Sequence, residues 1–334
     1  MAQQIEVAAG GHSRILGIGG YRPRRSVGNA EVCAVADSTP EWIETRSGIR
    51  ERRFAAADET LPVMAQAAAG KSLAHAGVTP DRIDLVLLAS MSNLVQTPPL
   101  AVRVAYALGA HGAAALDLSG ACAGFCHALA VASDAVRAGS AGHVLVIGAE
   151  RMTDIVEPSD RGVSVLFADG AGAVVVGPSD VPRIGPVVRG AAGRYEDALR
   201  MSTGWDEFAA DPVGAGRPWM RMDGRRVFRW AMEEVAPQAA RILDEAGVPP
   251  AELDVFVPHQ ANLRMIELLA ERLGLGPGTV LARDVVRSGN TSAASVPLAL
   301  EALVETGEAG SGDTALLLGF GAGLNFAGQV VVLP

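Results

Sequence analysis

Gly77-Val-Thr-Pro-Asp-Arg-Ile-Asp-Leu-Val-Leu87 and, in the second half of the chain, Gly247-Val-Pro-Pro-Ala-Glu-Leu-Asp-Val-Phe-Val257 carry the same pattern twice. In each, a helix ends at glycine, a turn follows, and an apolar strand begins after aspartate. Each copy continues through a helix, Leu100 to Leu108 or Asn262 to Leu273, to a second strand and a small-residue turn. A long apolar helix comes next, ending at Ala138-Gly139 or Thr306-Gly307, and a third strand closes the copy, His143 to Gly148 or Thr314 to Gly319. Strands alternating with helices predict a mostly parallel sheet with crossover helices. Two such units predict a pseudo-twofold molecule, an N-terminal half of residues 1–180 and a C-terminal half of residues 181–334.

The turn before the first long helix reads Asp117-Leu-Ser-Gly-Ala-Cys-Ala-Gly-Phe125. A strand-like run, Ala113 to Leu118, breaks there at small residues. The helix that follows carries Phe125, Leu129, Ala132 and Val136 at three- and four-residue spacings. A cysteine at this junction lies beside unpaired N–H groups and the positive dipole end of the helix, which favour thiolate over thiol. Small neighbours leave room for a substrate to reach the sulfur of Cys122. The competing reading, a buried small hydrophobe, is the commonest fate of a free cysteine. Aligning the two copies places Cys122 and Asn290 at equivalent positions, each at the start of its half's long helix. His259 lies at the end of a strand in the other half from Cys122. Ligands of open α/β sheets bind at the carboxyl ends of strands, so a site built from Cys122, His259 and Asn290 between the halves follows, and the nucleophile reading gains.

Composition narrows the classes. The chain has 334 residues, 49% of them hydrophobic, enough for a large packed core and incompatible with disorder. A net charge of −9 argues against a general nucleic-acid binder. The positive charge is nearly all arginine, clustered at Arg22, Arg24 and Arg25, at Arg50, Arg52 and Arg53, and at Arg221, Arg225, Arg226 and Arg229. Arginine suits bidentate phosphate contacts, although solvated surface arginines are the plainer reading of any one cluster. Cys33, Cys122 and Cys126 are too few for a disulfide framework or a metal site. The N-terminal residues lack the pattern of a secretory signal and no apolar stretch reaches membrane-spanning length, so a cytoplasmic enzyme without membrane contact is expected.

The blocks Asp117–Phe125, Val257-Pro-His-Gln-Ala-Asn-Leu-Arg264 and Gly289-Asn-Thr-Ser-Ala-Ala-Ser-Val-Pro-Leu298 resemble the three active-site blocks of β-ketoacyl-ACP synthase III. Glu41–Arg52, Phe167–Ala173 and Met222–Phe228 are similar to further blocks of that family, in the same order. The resemblance runs from about Ile15 to the C-terminus. Gln96-Thr-Pro-Pro-Leu100 and Cys122-Ala-Gly-Phe-Cys-His-Ala-Leu129 look closest to the priming ketosynthases of type II aromatic polyketide pathways. The resemblance implies the thiolase fold, a five-layer αβαβα sandwich, as a homodimer. It also implies a ping-pong reaction without cofactor or metal. An acyl-CoA starter acylates Cys122; malonyl-ACP then binds, loses carbon dioxide, and its carbanion attacks the acyl-enzyme to give 3-ketoacyl-ACP. His259 and Asn290 would donate hydrogen bonds to the malonyl thioester, where enolate charge develops. The N–H groups of Cys122 and Ala322 would form the oxyanion hole, and Phe320 would pack by the sulfur and shield the malonyl carboxylate from water.

By the same resemblance Trp42 stacks on the CoA adenine, Arg46 and Arg161 bracket it or hold phosphate, and Asn262 bonds the pantetheine arm. Acyl carrier protein is acidic and needs a local basic patch, for which Arg264 is the first candidate, with Arg225, Arg226 and Arg272 behind it. Thr97, reaching across the dimer, would line the acyl pocket with Met152 and Phe167. Acetyl-primed members often carry Phe where this chain has Thr97, so a starter larger than acetyl is expected. A ketosynthase-III-like acyltransferase that skips decarboxylation is the nearest alternative, and Asn290 argues against it. A 3-hydroxy-3-methylglutaryl-CoA synthase or thiolase needs a further acid or base, and no matching carboxylate or second cysteine is evident. A non-catalytic partner subunit typically lacks the nucleophile that this chain keeps.

Overall fold

The computed structural model describes residues 10–334. β1 (His12–Tyr21) leads into a ribbon of β2 (Arg25–Gly28) and β3 (Glu51–Phe54), with α1 (Asn29–Cys33) and α2 (Pro40–Ser47) between them. α2 begins where the Thr39 hydroxyl accepts the Trp42 N–H and Pro40 presets φ, and it stops at left-handed Gly48. α3 (Leu61–Ala76), β4 (Leu85–Ala89), α4 (Leu100–Leu108), β5 (Ala114–Leu118), α5 (Gly124–Arg137), β6 (Val144–Arg151) and β7 (Asp169–Ser179) follow. Their sheet has the order β1-β7-β6-β4-β5.

Beyond it come β8 (Val188–Ala191), β9 (Leu199–Met201), α6 (Trp205–Ala210), β10 (Met220–Met222) and α7 (Gly224–Trp230). α8 (Ala236–Ala246), β11 (Val255–Pro258), α9 (Leu263–Leu273), β12 (Val280–Leu281), α10 (Val285–Ser288), α11 (Ser295–Thr306), β13 (Thr314–Gly321) and β14 (Asn325–Val332) complete the chain. The second sheet has the order β12-β11-β13-β14-β8. Each sheet is mixed, with a parallel core (β5, β4 and β6; β12, β11 and β13) and an antiparallel flank. The short turn Ala322–Leu324 can only fold β14 back as a hairpin, because a parallel return needs a helix-length crossover.

α3 and α4 cover the outer face of the first sheet, α8 and α9 that of the second, and α5 and α11 fill the space between the sheets. This is the five-layer αβαβα sandwich of the thiolase fold. The central layer joins the halves in one core, where Phe125 and Leu129 of α5 and Val296 and Leu300 of α11 pack with Val146, Val174, Val257 and Leu317 from both sheets. One arginine from each of two clusters turns inward, while Arg24, Arg25 and Arg50 stay exposed. Arg22 ties the end of β1 to Asp284 (3.1 Å) and Glu301 (2.5 Å), and fully buried Arg52 donates to Asn29 Oδ1 and Val165 O.

The repeat carries through in space, with one change of register. One-turn 3-10 segments, Ala121–Ala123 and Ser292–Ala294, precede α5 and α11, and each starts on a left-handed non-glycine residue, Ala121 (φ 44°) and Ser292 (φ 47°). The equivalent of Cys122 is therefore Ala293, not Asn290. Asn290 stands before the turn, held in a one-residue bridge to Phe167. Among the described residues, no helix is long and apolar enough to cross a membrane, and no cluster of His, Cys, Asp and Glu is able to hold a metal ion.

Candidate active site

Cys122 sits in the tight turn at the mouth of α5, against the end of β13. The fit leaves no room for a side chain at Gly321, where a Cβ would stand 2.7 Å from Cys122 Cβ and 2.9 Å from its Sγ. The main-chain N–H groups of Cys122 and Ala322 act on the sulfur, as does the Ser292 hydroxyl. Burial nevertheless pushes the thiol up to about 12, the donors offset it only in part, and the Glu150 carboxylate adds to the rise. The thiolate expected from the helix start is thus not the resting form, because desolvation of a nearly enclosed sulfur outweighs the local donors.

His259 leaves the end of β11 with its main-chain N–H on Leu318 O at 2.7 Å. Its ring is buried, lies edge-to-face with Phe320 (5.3 Å, 83°), and shares a 2.7 Å hydrogen bond between Nδ1 and Ser295 Oγ. Burial pulls its pKa down to about 3, so it is a neutral imidazole. Phe320 is therefore a wall against the histidine. Asn290 is fixed from both sides: its main chain exchanges hydrogen bonds with Leu166 O and Ala168 N–H, each at 2.9 Å. Its side-chain oxygen accepts the Ser292 N–H at 2.9 Å, which directs the amide –NH2 away from that bond. A neutral imidazole and an oriented amide are donors for a developing negative charge.

Residues not singled out in the sequence complete the surroundings. Glu150, at the end of β6, is fully buried near Cys122. Its oxygens accept from the N–H groups of Met91 and Ser92 and from the hydroxyls of Ser90 and Ser92, with the Ala293 N–H at 3.4 Å. A carboxylate absent from the sequence reading is thus present, but it is engaged in joining the loop after β4 to the turn before α11. Ser292 links the same parts, its hydroxyl lying 3.3 Å from Met91 Sδ. Ser292 lies within the block Gly289–Leu298 but nothing local distinguishes it there, and no local motif marks Glu150.

All the binding candidates but Arg226 and Thr97 line one of two cavities. One, of about 1290 Å³, is lined by Trp42, Arg46, Arg161, Asn262, Arg225, Arg264 and Arg272. Eight arginines line it in all against four acidic residues, Asp160, Asp197, Asp223 and Glu233, so its lining is net positive. Trp42 is 39% exposed with the Arg161 guanidinium 5.2 Å from its ring centre. Asn262 caps α9 through its oxygen (Met265 N–H, 2.9 Å), which leaves its –NH2 free. Arg272 is held by Met232 O at 2.9 Å. That carbonyl lies in the π turn Ala231–Val235, where Ala236 N–H bonds Ala231 O and Pro237 has no N–H to offer. Arg226 is outside this cavity lining, paired with Asp197 at 2.9 Å and lying over Tyr195. The second cavity, of about 330 Å³, is lined by Met152 and Phe167 together with Val27, Val32, Phe54 and Val156. Thr97 is not part of it and stands exposed on the loop after β4.

Residues 116–193 match the profile of 3-oxoacyl-[acyl-carrier-protein] synthase III, and residues 243–333 match that of its C-terminal part. A β-ketoacyl-[acyl-carrier-protein] synthase III of Streptomyces lividans is 56% identical over 322 residues, 96% of this chain and 95% of the relative. The chain belongs to the β-ketoacyl-ACP synthase III family. It is accordingly a condensing acyltransferase by class. The priming β-ketosynthase of the R1128 polyketide biosynthetic pathway superposes with a TM-score of 0.98 at 55% identity, covering 99% of both chains. The 3-oxoacyl-[acyl-carrier-protein] synthase III of Aquifex aeolicus VF5 gives 0.87 at 37% identity, covering 96% of this chain and 99% of the other. Members of the family condense an acyl-CoA with malonyl-ACP.

Proposed function

We propose that this enzyme starts acyl chains: Cys122 takes an acyl group from CoA, and His259 with Asn290 promotes decarboxylation of malonyl-ACP onto it. The observation that carries this reading is the pair of oriented neutral donors. Imidazole and amide can stabilise the enolate oxygen without placing a positive charge that would bind the malonyl carboxylate and resist its loss. The N–H groups of Cys122 and Ala322 serve the tetrahedral intermediates at the sulfur. A resting thiol that ionises only at high pH gives up its proton as it attacks the thioester, and in the overall step that proton ends on the departing CoA thiolate, which ties nucleophile formation to substrate binding.

CoA enters through the arginine-lined cavity, with adenine bracketed by Trp42 and the Arg161 guanidinium beside its ring, Arg46 at the phosphates, and the Asn262 amide at the pantetheine arm. Acyl carrier protein docks on the same rim, through exposed Arg264 first and through Arg225 and Arg272. Arg226 contributes less, since Asp197 already neutralises it. The acyl group extends toward Met152 and Phe167. Phe167 lines the apolar cavity and is bridged through its main chain to Asn290, which supports this direction. The cavity's size and the small Thr97 of a second subunit suit a starter larger than acetyl: propionyl, a branched short acyl or a medium-length chain. The chain works as a homodimer in the cytoplasm, priming polyketide or fatty-acid synthesis without a cofactor or metal.

The test is a panel of acyl-CoAs offered to the purified enzyme, with acylation followed by intact-protein mass and malonyl-ACP then added. A longer starter should load fastest and yield 3-ketoacyl-ACP, and Cys122→Ala should load nothing. Fastest loading from acetyl-CoA would sink the starter assignment.

A further inference from the structure

The two halves place the same pair of positions in contact and fill them differently. By the repeat, the residue ending β4, Ala89, corresponds to His259, and the first residue of α5, Gly124, corresponds to Ser295 at the start of α11. In the first half this contact is filled by two small residues, so close that a Cβ on Gly124 would stand 2.8 Å from Ala89 Cβ. In the second half it holds an imidazole and a hydroxyl, 2.7 Å apart and buried. We propose that Ser295 is a positioning residue that sets the His259 tautomer, keeping the ring proton on Nε2 for donation to the thioester.

The main chain decides the direction of that hydrogen bond. Gln260 N–H points to Ser295 Oγ at 3.3 Å. Gln260 cannot turn away, since its own side chain is pinned at both ends: Nε2 donates to Pro258 O at 2.7 Å, and Oε1 accepts the Val285 N–H at 3.1 Å. Among the described residues the Ser295 proton has no acceptor other than His259 Nδ1, so with the Gln260 N–H on its oxygen the hydroxyl completes its bonding by donating to Nδ1. Nδ1 is then the acceptor, and the single proton of the neutral ring resides on Nε2. Among the described residues Nε2 has no hydrogen-bond partner of its own, so its N–H is available to substrate. Burial keeps the ring from taking a second proton, which would remove the distinction between its nitrogens.

This proposal rests on the decarboxylative reading of the site, and the experiment separates the two. Enzyme carrying 15N-histidine, with the His259 signals assigned by difference against His259→Ala, reports the tautomer directly. Wild-type enzyme should show protonated Nε2 and unprotonated Nδ1, and Ser295→Ala should show a mixture or the opposite form. Decarboxylation of malonyl-ACP by acyl-loaded Ser295→Ala should fall at least ~10-fold, the scale of a weakened donor to developing charge. Acylation of Cys122 in the same variant should stay within about two-fold, a difference that a general loss of structure would not produce. Ser295→Thr, which keeps the hydroxyl, should restore both the tautomer and the rate. The proposal is overturned if His259 carries its proton on Nδ1 in the wild type, or if Ser295→Ala leaves tautomer and decarboxylation unchanged. If His259→Ala itself condensed at the wild-type rate, the decarboxylative reading would fail first.

Discussion

At the sulfur of Cys122 and the ring of His259, one physical cause acts with opposite sign. Burial disfavours charge, so it raises the thiol to about 12 and lowers the imidazole to about 3. Two pH responses follow. Alkylation of Cys122 by iodoacetamide should accelerate about tenfold per pH unit through pH 9 without levelling, because the thiolate fraction still grows there; a plateau near pH 8 would contradict it. His259 has a depressed folded-state pKa, so between about 3 and its unfolded value the native state binds fewer protons than the unfolded chain. Its contribution to stability is complete above about pH 6.5 and is lost as pH falls toward 3. Urea midpoints across that window should therefore fall less steeply in His259→Gln than in wild type, and equal slopes would show that the ring is not buried neutral. The types and order of these residues were legible in the sequence, but the state of the thiol was not. A helix start can be read from small residues, whereas enclosure by Gly321 and Ala322 comes from a strand about two hundred residues away in the chain.

The elements around the site are held by crossings no local pattern reveals. The long helices and their strands were readable because apolar periodicity and glycine stops are local signals, and α4 runs Leu100–Leu108 as the spacing predicts. The register between copies is not readable, since counting along the turn misses where each left-handed residue falls: the sequence aligns Asn290 with Cys122, whereas in space Ala293 holds that place. Glu150 also escaped, because its donors come from the loop after β4 and the turn before α11. Glu150→Ala would leave these buried donors unpaired and should cost about 3 kcal/mol or more of stability, measured by urea unfolding. A change under about 0.5 kcal/mol would mean the donors find water instead. Gly321→Ala drives a methyl into Cys122. Acylation should drop by about 100-fold or more with the circular dichroism spectrum retained, the scale of a lost oxyanion donor. Near-normal acylation would show that β13 does not clamp the nucleophile.

For the whole molecule, the first sheet ends on β5, an edge strand with 55% of Leu116 exposed. Beside it, α4 leaves 74% of Tyr106 and 44% of Val102 exposed. An unpaired edge with apolar side chains invites a second strand, and a second subunit joined there is the route by which Thr97 would reach an acyl pocket. Leu116→Arg should therefore shift the protein to a monomer in light-scattering chromatography and weaken acylation by longer starters. A monomeric wild type would remove the role assigned to Thr97. Catalysis divides between one nucleophile, Cys122, and two neutral donors, His259 and Asn290. The most direct measurement of that division is carbon dioxide release from carboxyl-labelled malonyl-ACP by enzyme already acylated at Cys122, comparing wild type with Asn290→Ala and His259→Ala. Both variants should still load the acyl group while release falls by about 100-fold or more. Release at the wild-type rate from either acyl-loaded variant would contradict the account.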